Sequence, residues 1–288
     1  MAIQLTDLSY TYQSGSAAAQ VALRHITLEI PRGICLGIAG SPGAGKTTLI
    51  LHLNGLLQPT SGRITIDGVE VTARNRLELR RRVGIVCQYP EQQLFAETVF
   101  QEIAFALTGA GMSSAEIDRR VREALSGVGL GEELLEQSPF CLSGGEKRRV
   151  AIAGILVRQP EILVLDEPGA GLDPQGRREI LDSVAQLQRD AGLTLVLVSH
   201  HLEEIVRLAE RVIILKDGAI ILEGESKEIL RDLTGLEKAG LALPPITAFM
   251  LALKKNIPEL NDSILSVAEA RAELQRVFAL PAPRGGRQ

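Results

Sequence analysis

Glycine, lysine and hydroxyl residues stand at an anion-binding spacing in Gly40-Ser41-Pro42-Gly43-Ala44-Gly45-Lys46-Thr47, with Thr48 behind them. The run matches the phosphate-loop pattern G-x-x-x-x-G-K-[ST] at every fixed position. It lies between an apolar run, Ile34 to Ala39, and a helical pattern from Thr47 to Leu56. Glycines let backbone N–H groups curl around phosphate oxygens, Lys46 neutralises their charge, and the Thr47 hydroxyl suits Mg²⁺. Farther along, Ser143-Gly144-Gly145-Glu146 has the form of a capping box, and its glycines open the positive end of a helix to an anion. A buried run, Ile162 to Leu165, ends in Asp166-Glu167. Consecutive strand residues point to opposite faces, so these carboxylates are expected to do different work. Gly171-Leu172-Asp173-Pro174 follows closely. Gln88 closes the run Val83 to Cys87, and His200 follows Ser199 at the end of Leu193 to Val198. Gln88 would thereby sit where ligands of α/β proteins gather, at the carboxyl end of a strand.

Each piece also has an ordinary explanation. Leu142 to Glu146 alone is a helix start, and Asp166-Glu167 alone is a polar strand end. His52 reads as packed or solvated, and Arg74, Arg76, Arg80, Arg81 and Arg82 read as a solvated charged face.

The positioning elements follow from periodicity. Ile3 to Tyr12 and Ala22 to Ile30 alternate as strands do, joined by a small polar loop, Gln13 to Gln20. Gly62 to Ile66, Arg211 to Leu215 and Ala219 to Leu222 are further strands, and Pro174 to Arg189 is a helix. Residues 98 to 157 read as helical, opened by capping boxes at Thr98–Gln101 and Ser113–Glu116. From about Leu236 the pattern changes. Pro244-Pro245 precedes a helical stretch, Ser266–Glu269 caps a last helix ending near Leu280, and Pro281 to Gln288 reads as disordered. The expected division is therefore a unit at 1–235 and a helical appendage at 236–288.

With 288 residues and 45% hydrophobic content, the chain can bury a sizeable core. A net charge of -4 gives no general attraction to nucleic acid. Cys35, Cys87 and Cys141, odd in number and each among apolar neighbours, suggest buried free thiols in a reducing compartment. No apolar run approaches the ~20 residues of a membrane span, and Met1 to Asp7 lacks the form of a signal peptide. A cytosolic protein is expected, with any membrane role supplied by a partner.

Phosphate loop, Gln88, Leu142 to Glu146, Asp166-Glu167, Gly171-Leu172-Asp173 and His200, in this order, resemble the ATPase subunit of ATP-binding cassette transporters over residues 1 to about 235. The resemblance implies an α/β phosphate-loop cassette. Its parts would be a RecA-like parallel sheet core, an N-terminal antiparallel β subdomain, a helical signature subdomain at about 98–157 and a small C-terminal helical appendage. It implies ATP and Mg²⁺, with Tyr12 stacking on adenine and Gly40 to Thr48 holding phosphates. Thr47, Gln88 and Asp166 would serve the metal, Glu167 would polarise the attacking water, and His200 rather than His201 would contact the γ-phosphate. Ser143, Gly144 and Gly145, with Asp173 nearby, would meet the nucleotide held by a second subunit.

Gln88 to Val99, Arg148 to Gly154 and the appendage narrow the resemblance to ATPases of energy-coupling factor transporters, nearest the second of their two paralogous types. That family implies uptake of a vitamin or transition-metal ion in prokaryotes, from the cytoplasmic face of the cell membrane as a peripheral subunit. Its implied partners are a transmembrane coupling protein, a substrate-capturing membrane protein, and a paralogous ATPase or a second copy. A short helix of the membrane protein would dock beside Leu94-Phe95, and Glu91 would pair with its arginine. A soluble cassette ATPase acting on nucleic acid or ribosomes usually carries two cassettes, a long coiled-coil insertion or metal clusters, none of which is visible, and Leu142 to Glu146 argues against a phosphate-loop kinase or non-transport switch. Gly169 departs from the pattern, standing where the family usually has threonine or serine.

Overall fold

The computed structural model describes residues 2–261 and 264–278, so the reading of Pro281 to Gln288 lies outside the described residues. The strands in chain order are β1 (Ile3–Tyr12), β2 (Gln20–Ile30), β3 (Cys35–Ala39), β4 (Ser61–Ile66), β5 (Val69–Glu70), β6 (Val83–Val86), β7 (Ile162–Asp166), β8 (Thr194–Val198), β9 (Arg211–Lys216) and β10 (Ala219–Glu225). They form two sheets. One is antiparallel in the order β2-β1-β4-β5. The other runs β10-β9-β3-β8-β7-β6, parallel throughout except that β10 returns antiparallel to β9.

β3, β7 and β8 are buried at every residue, as continuous apolar runs must be when both sheet faces are covered. Alternate residues feed two cores. Leu36, Ile38, Val164 and Val196 pack toward the antiparallel sheet, while Cys35, Leu163, Leu195 and Leu197 pack on the other side.

The helices are α1 (Lys46–Leu53), α2 (Arg76–Arg82), α3 (Val99–Phe105), α4 (Ser114–Gly127), α5 (Gly144–Leu156), α6 (Pro174–Ala191), α7 (Leu202–Leu208), α8 (Ser226–Arg231), α9 (Leu233–Ala239), α10 (Pro245–Lys254) and α11 (Val267–Phe278). Residues 98 to 157 hold α3, α4 and α5 with short 3₁₀ turns between them. The Ser143–Glu146 box is complete. At Thr98 and Ser113 only the forward half forms; at Ser113 the box carboxylate, Glu116, is held instead by Arg119 and Arg120.

From Arg76 to Arg82 the arginine run is a helix, α2, and only part of it is a solvated face. Arg82 bridges Asp67 and Glu161, and Arg80 donates to the carbonyl of Gly55 at 3.0 Å. The thiols also divide. Cys35 is buried and Cys87 partly so, but Cys141 closes a 3₁₀ turn and is exposed. Past position 235, Leu236 and Ala239 of α9 still pack in a large core, and a small separate cluster forms from Met250, Leu260, Ile264 and Ala270.

α7 lies flush on the central strand. A Cβ at Gly37 would stand 2.1 Å from the Cγ2 of buried Ile205 and 3.0 Å from the Cβ of Ala209. Gly37→Ala is therefore expected to lower stability by ~1–3 kcal/mol through overpacking, read as a lower urea midpoint. An unchanged midpoint would show that α7 can slide away at no cost.

Candidate functional site

Parallel pairing brings the carboxyl ends of β6, β3, β8 and β7 to one sheet edge, with Ile38 opposite Val198 and Val198 opposite Asp166. The phosphate loop leaves β3 there. Gly40 and Gly45 adopt φ of 154° and 101°, and a Cβ on them would meet backbone oxygens of Leu215 at 2.5 Å and Ala22 at 2.7 Å. Only glycine fits both places. Gly45 starts α1 with no side-chain cap, so the first-turn amides remain aimed at the loop.

Lys46 is buried, and its Nζ donates to the carbonyls of Gly40 at 2.7 Å and Ser41 at 3.1 Å. Burial lowers its pKa, against the opposing pull of Glu167 and Asp166. An ammonium so short of solvent gains strongly from an anion brought beside it. Thr47 Oγ1 donates to Asp166 Oδ2 at 2.9 Å. Burial raises the pKa of Asp166, the Thr47 bond opposes this, and the charge of Glu167 adds to it. The Thr48 hydroxyl lies 3.1 Å from that of Tyr12, whose ring stands edge-on to Tyr10 and is 37% exposed. His52 is packed rather than solvated, 2.7 Å from the carbonyl of Thr48.

Glu167 does not continue the strand. Its φ is 52°, a left-handed conformation that costs a non-glycine residue of order 1–3 kcal/mol and marks functional turns. The two carboxylates therefore diverge because the backbone turns between them, not because the strand alternates. The amide of Glu167 donates to Val198 at 2.9 Å. Its Oε1 receives the amide of His200 at 3.0 Å and lies 2.8 Å from His200 Nδ1. The His201 ring stacks on His200 with centroids 4.0 Å apart and does not reach the carboxylate. Gln88 stands exposed just beyond β6, and the charge of Asp166 reaches its neighbour Cys87, whose pKa is raised first by burial and then by that charge.

Ser143 and Glu146 serve each other, the Ser143 hydroxyl donating to Glu146 at 2.7 Å, which keeps that carboxyl below its ordinary pKa. A Cβ on Gly144 or Gly145 would meet nothing within 4 Å, so packing in this chain does not require glycine there. Asp173 caps α6, accepting from the amide of Gly176 at 2.7 Å. The structure thus brings Lys46, Thr47, Asp166, Glu167 and His200 together, ties Tyr12 in through Thr48, and bonds Ser143 and Asp173 to their own helix starts.

Comparison with known proteins bears on this geometry. A family model described as ABC transporter matches residues 23–170. The energy-coupling factor transporter ATP-binding protein EcfA2 of Acetivibrio thermocellus is 49% identical over 276 residues, covering 96% of this chain and 98% of its own. The chain belongs to the energy-coupling factor ATPases of the ABC transporter family.

Solved structures agree. CbiO1 from Clostridium perfringens, described as part of the ABC transporter complex cbiONQ, has a TM-score of 0.75 at 37% identity over 86% of this chain and 98% of its own. The cassette MJ0796, in a dimeric post-hydrolysis state with ADP and Pi, has a TM-score of 0.68 at 30% identity over 78% and 98%. This energy-coupling factor ATPase therefore binds ATP and hydrolyses it in support of transport.

Two expectations beside Gln88 need correction. Leu94 is buried, and only Phe95 is exposed, stacked edge-on with exposed Phe105 at 4.8 Å. Glu91 already has an arginine within this chain. Arg148 on α5 is 1% exposed and grips Glu91 with bonds of 3.0 and 2.7 Å. It also donates to the carbonyls of Pro168 at 2.9 Å and Ala170 at 2.6 Å, with the Tyr89 ring 5.9 Å from its guanidinium. One buried cation so joins the segment after Gln88, the helix behind Ser143 and the turn after Glu167. Sequence reasoning passed over it, although an arginine set against Val150, Ile152 and Ala153 was a signal.

Burial tends to raise the pKa of Glu91, but the hydrogen bonds and charge of Arg148 prevail and lower it. The carboxylate then stabilises the fold above the unfolded pKa, and this contribution fades as pH falls through the folded value. Glu91→Gln is expected to lower stability by ~1–3 kcal/mol near neutrality. The difference from wild type should shrink below about pH 4.3, the usual glutamate value. Urea titrations across pH check this; a pH-independent difference would rule out the ion pair as its source.

Proposed function

We propose that this subunit hydrolyses Mg-ATP at an interface with a second cassette, a paralogous ATPase or another copy, to drive uptake of a vitamin or transition-metal ion. The observation that carries the reading is a division of labour. Phosphate loop, carboxylates and His200 share one sheet edge, whereas the anion-ready helix start at Ser143-Gly144-Gly145 bonds only within its own turn and opens outward. Two such chains placed head to tail would present each phosphate loop with the other's Ser143 turn. The dimeric form of the related MJ0796 supports this arrangement.

In this reading Gly40 to Thr48 hold the phosphates, Lys46 exchanging its loop carbonyls for phosphate oxygens, and Tyr12 flanks the base. The donor set fits Mg²⁺, with the Thr47 hydroxyl on Asp166 giving a hard oxygen environment that the exposed Gln88, just beyond β6, would join. When bound, Mg²⁺ neutralises charge developing on the phosphates. His200 fixes Oε1 of Glu167, leaving Oε2 to accept a proton from the attacking water. Asp173, held as the cap of α6, carries the turn expected to face the second cassette.

Among the described residues no helix is long and apolar enough to cross a membrane. On the family reading, the proposed place is the cytoplasmic face of the cell membrane, against a transmembrane coupling protein and a substrate-capturing protein. Phe95 and Phe105 offer the exposed apolar surface for that docking, without nucleic acid as a partner. The cassette would end between Gly240 and Pro244, after α9 joins its core, with the appendage beyond.

Glu167→Gln should bind Mg-ATP normally and lose hydrolysis by ~10²–10⁴-fold, the range for a general base; near-normal turnover would sink its role. Ser143→Arg should leave folding and ATP binding by the single chain intact but abolish hydrolysis by blocking closure. Full-rate hydrolysis by a strictly monomeric preparation would refute the shared site.

A further inference from the structure

Glu204 is a buried carboxylate that the hydrolytic residues described above do not include. It is 6% exposed on α7, and its Oε2 accepts from the hydroxyl of Ser199, itself fully buried, at 2.9 Å. Ser199 Oγ in turn accepts the amide of His201 at 3.0 Å, and the amide of Ser199 donates to Ile38 at 3.2 Å. The turn 199–201 is thereby pinned on both sides of His200. A buried carboxylate needs a cation, and the one beside Glu204 is Arg177, whose Nε lies 3.3 Å from Oε1, an ion pair by proximity in which neither of these two buried atoms makes a hydrogen bond.

Arg177 reaches Glu204 by laying its stem across Gly169. A Cβ at that position would stand 2.6 Å from Cγ of Arg177, 3.1 Å from Cδ and 3.2 Å from Nε. Gly169 is not among the glycines with positive φ, so its backbone accepts any residue. The three atoms nearest to where a Cβ would stand all belong to the arginine stem, which would have to shift to admit a side chain. The unusual glycine after Glu167-Pro168 thus has a local reason.

We infer that Arg177 is a positioning residue for His200, acting through Glu204 and Ser199, and that Gly169 is glycine to give it passage. Arg177 sits in the first turn of α6, whose cap is Asp173. The link therefore runs from the start of α6 to the turn that sets the histidine on Glu167. A tilt of α6 at its capped end moves Arg177, and the carboxylate it holds moves the turn. The inference rests on the role proposed for His200, but its geometric part is measurable without any hydrolysis.

The chain has four histidines, which makes ring ¹⁵N signals assignable by single substitutions. Gly169→Ala, Arg177→Ala and Arg177→Lys are compared with wild type, with urea midpoints recorded for each. Gly169→Ala and Arg177→Ala are expected to shift the His200 Nδ1 signal while leaving His25 unchanged, and Arg177→Lys to restore it in part. An unmoved His200 signal in both folded alanine variants would overturn the linkage whatever the activity.

The second measurement is Mg-ATP turnover of the full chain in its assembled complex. Both alanine variants should lose about tenfold in kcat, the scale of a slightly misplaced catalytic group, with ATP affinity unchanged. In a His200→Ala background, followed by single turnover, Arg177→Ala should cost less than about twofold, because residues acting as one unit are not additive. An equal loss in both backgrounds would assign Arg177 a merely structural part. A normal His200 shift response with no effect of His200→Ala on turnover would instead refute the role proposed for the histidine.

Discussion

Parallel pairing of β6, β7, β8 and β3 is the constraint on which the site depends. In a parallel sheet every strand delivers its carboxyl end to the same edge, and the apolar runs that make these strands also bury them on both faces. Polar groups are then admitted only where the strands stop. Asp166, Glu167, Ser199, His200 and the phosphate loop all occupy such stops. Rows of paired residues set their mutual spacing, so Asp166 and Ile38 both align with Val198 across a single intervening strand.

Besides Lys46, Asp166 and Glu167 of the site itself, the chain buries charge at Arg148 and Glu204, and each of these two links segments apart in sequence. Arg148 gathers Glu91 and the carbonyls of Pro168 and Ala170, while Glu204 gathers Ser199 and Arg177. An ion taken from water needs several fixed partners to be tolerated. Those partners here are loops that flank Glu167 and His200. Desolvation thus serves organisation, since a loop moves only by taking a buried ion's partner with it.

Much of this was legible from the order of residues. Apolar runs such as Leu163 to Leu165 announce buried strands, and the phosphate loop announces itself because backbone approach to an anion leaves few choices at Gly40, Gly45 and Lys46. The Ser143–Glu146 cap was equally local. What escaped notice was non-local or conformational. Glu91 and Arg148 are 57 positions apart, and nothing in either neighbourhood names the other. The left-handed turn at Glu167 is imposed by its surroundings rather than by its residue type. α2 hid because arginines fill its exposed faces and only Leu79 is buried. Leu94 and Phe95 look alike in a sequence, and the fold alone decides which one faces water.

The uneven burial of the thiols gives the molecule a built-in chemical handle. Cys35 is sealed inside, its thiol pushed up to about 12 by burial and by Glu210, and the thiol of Cys87 is half-covered and held up by burial and Asp166. Cys141 lies in the open, just ahead of Ser143. A maleimide dye offered to the native chain would settle there first, and its fluorescence would report when another surface comes to cover the turn that begins α5.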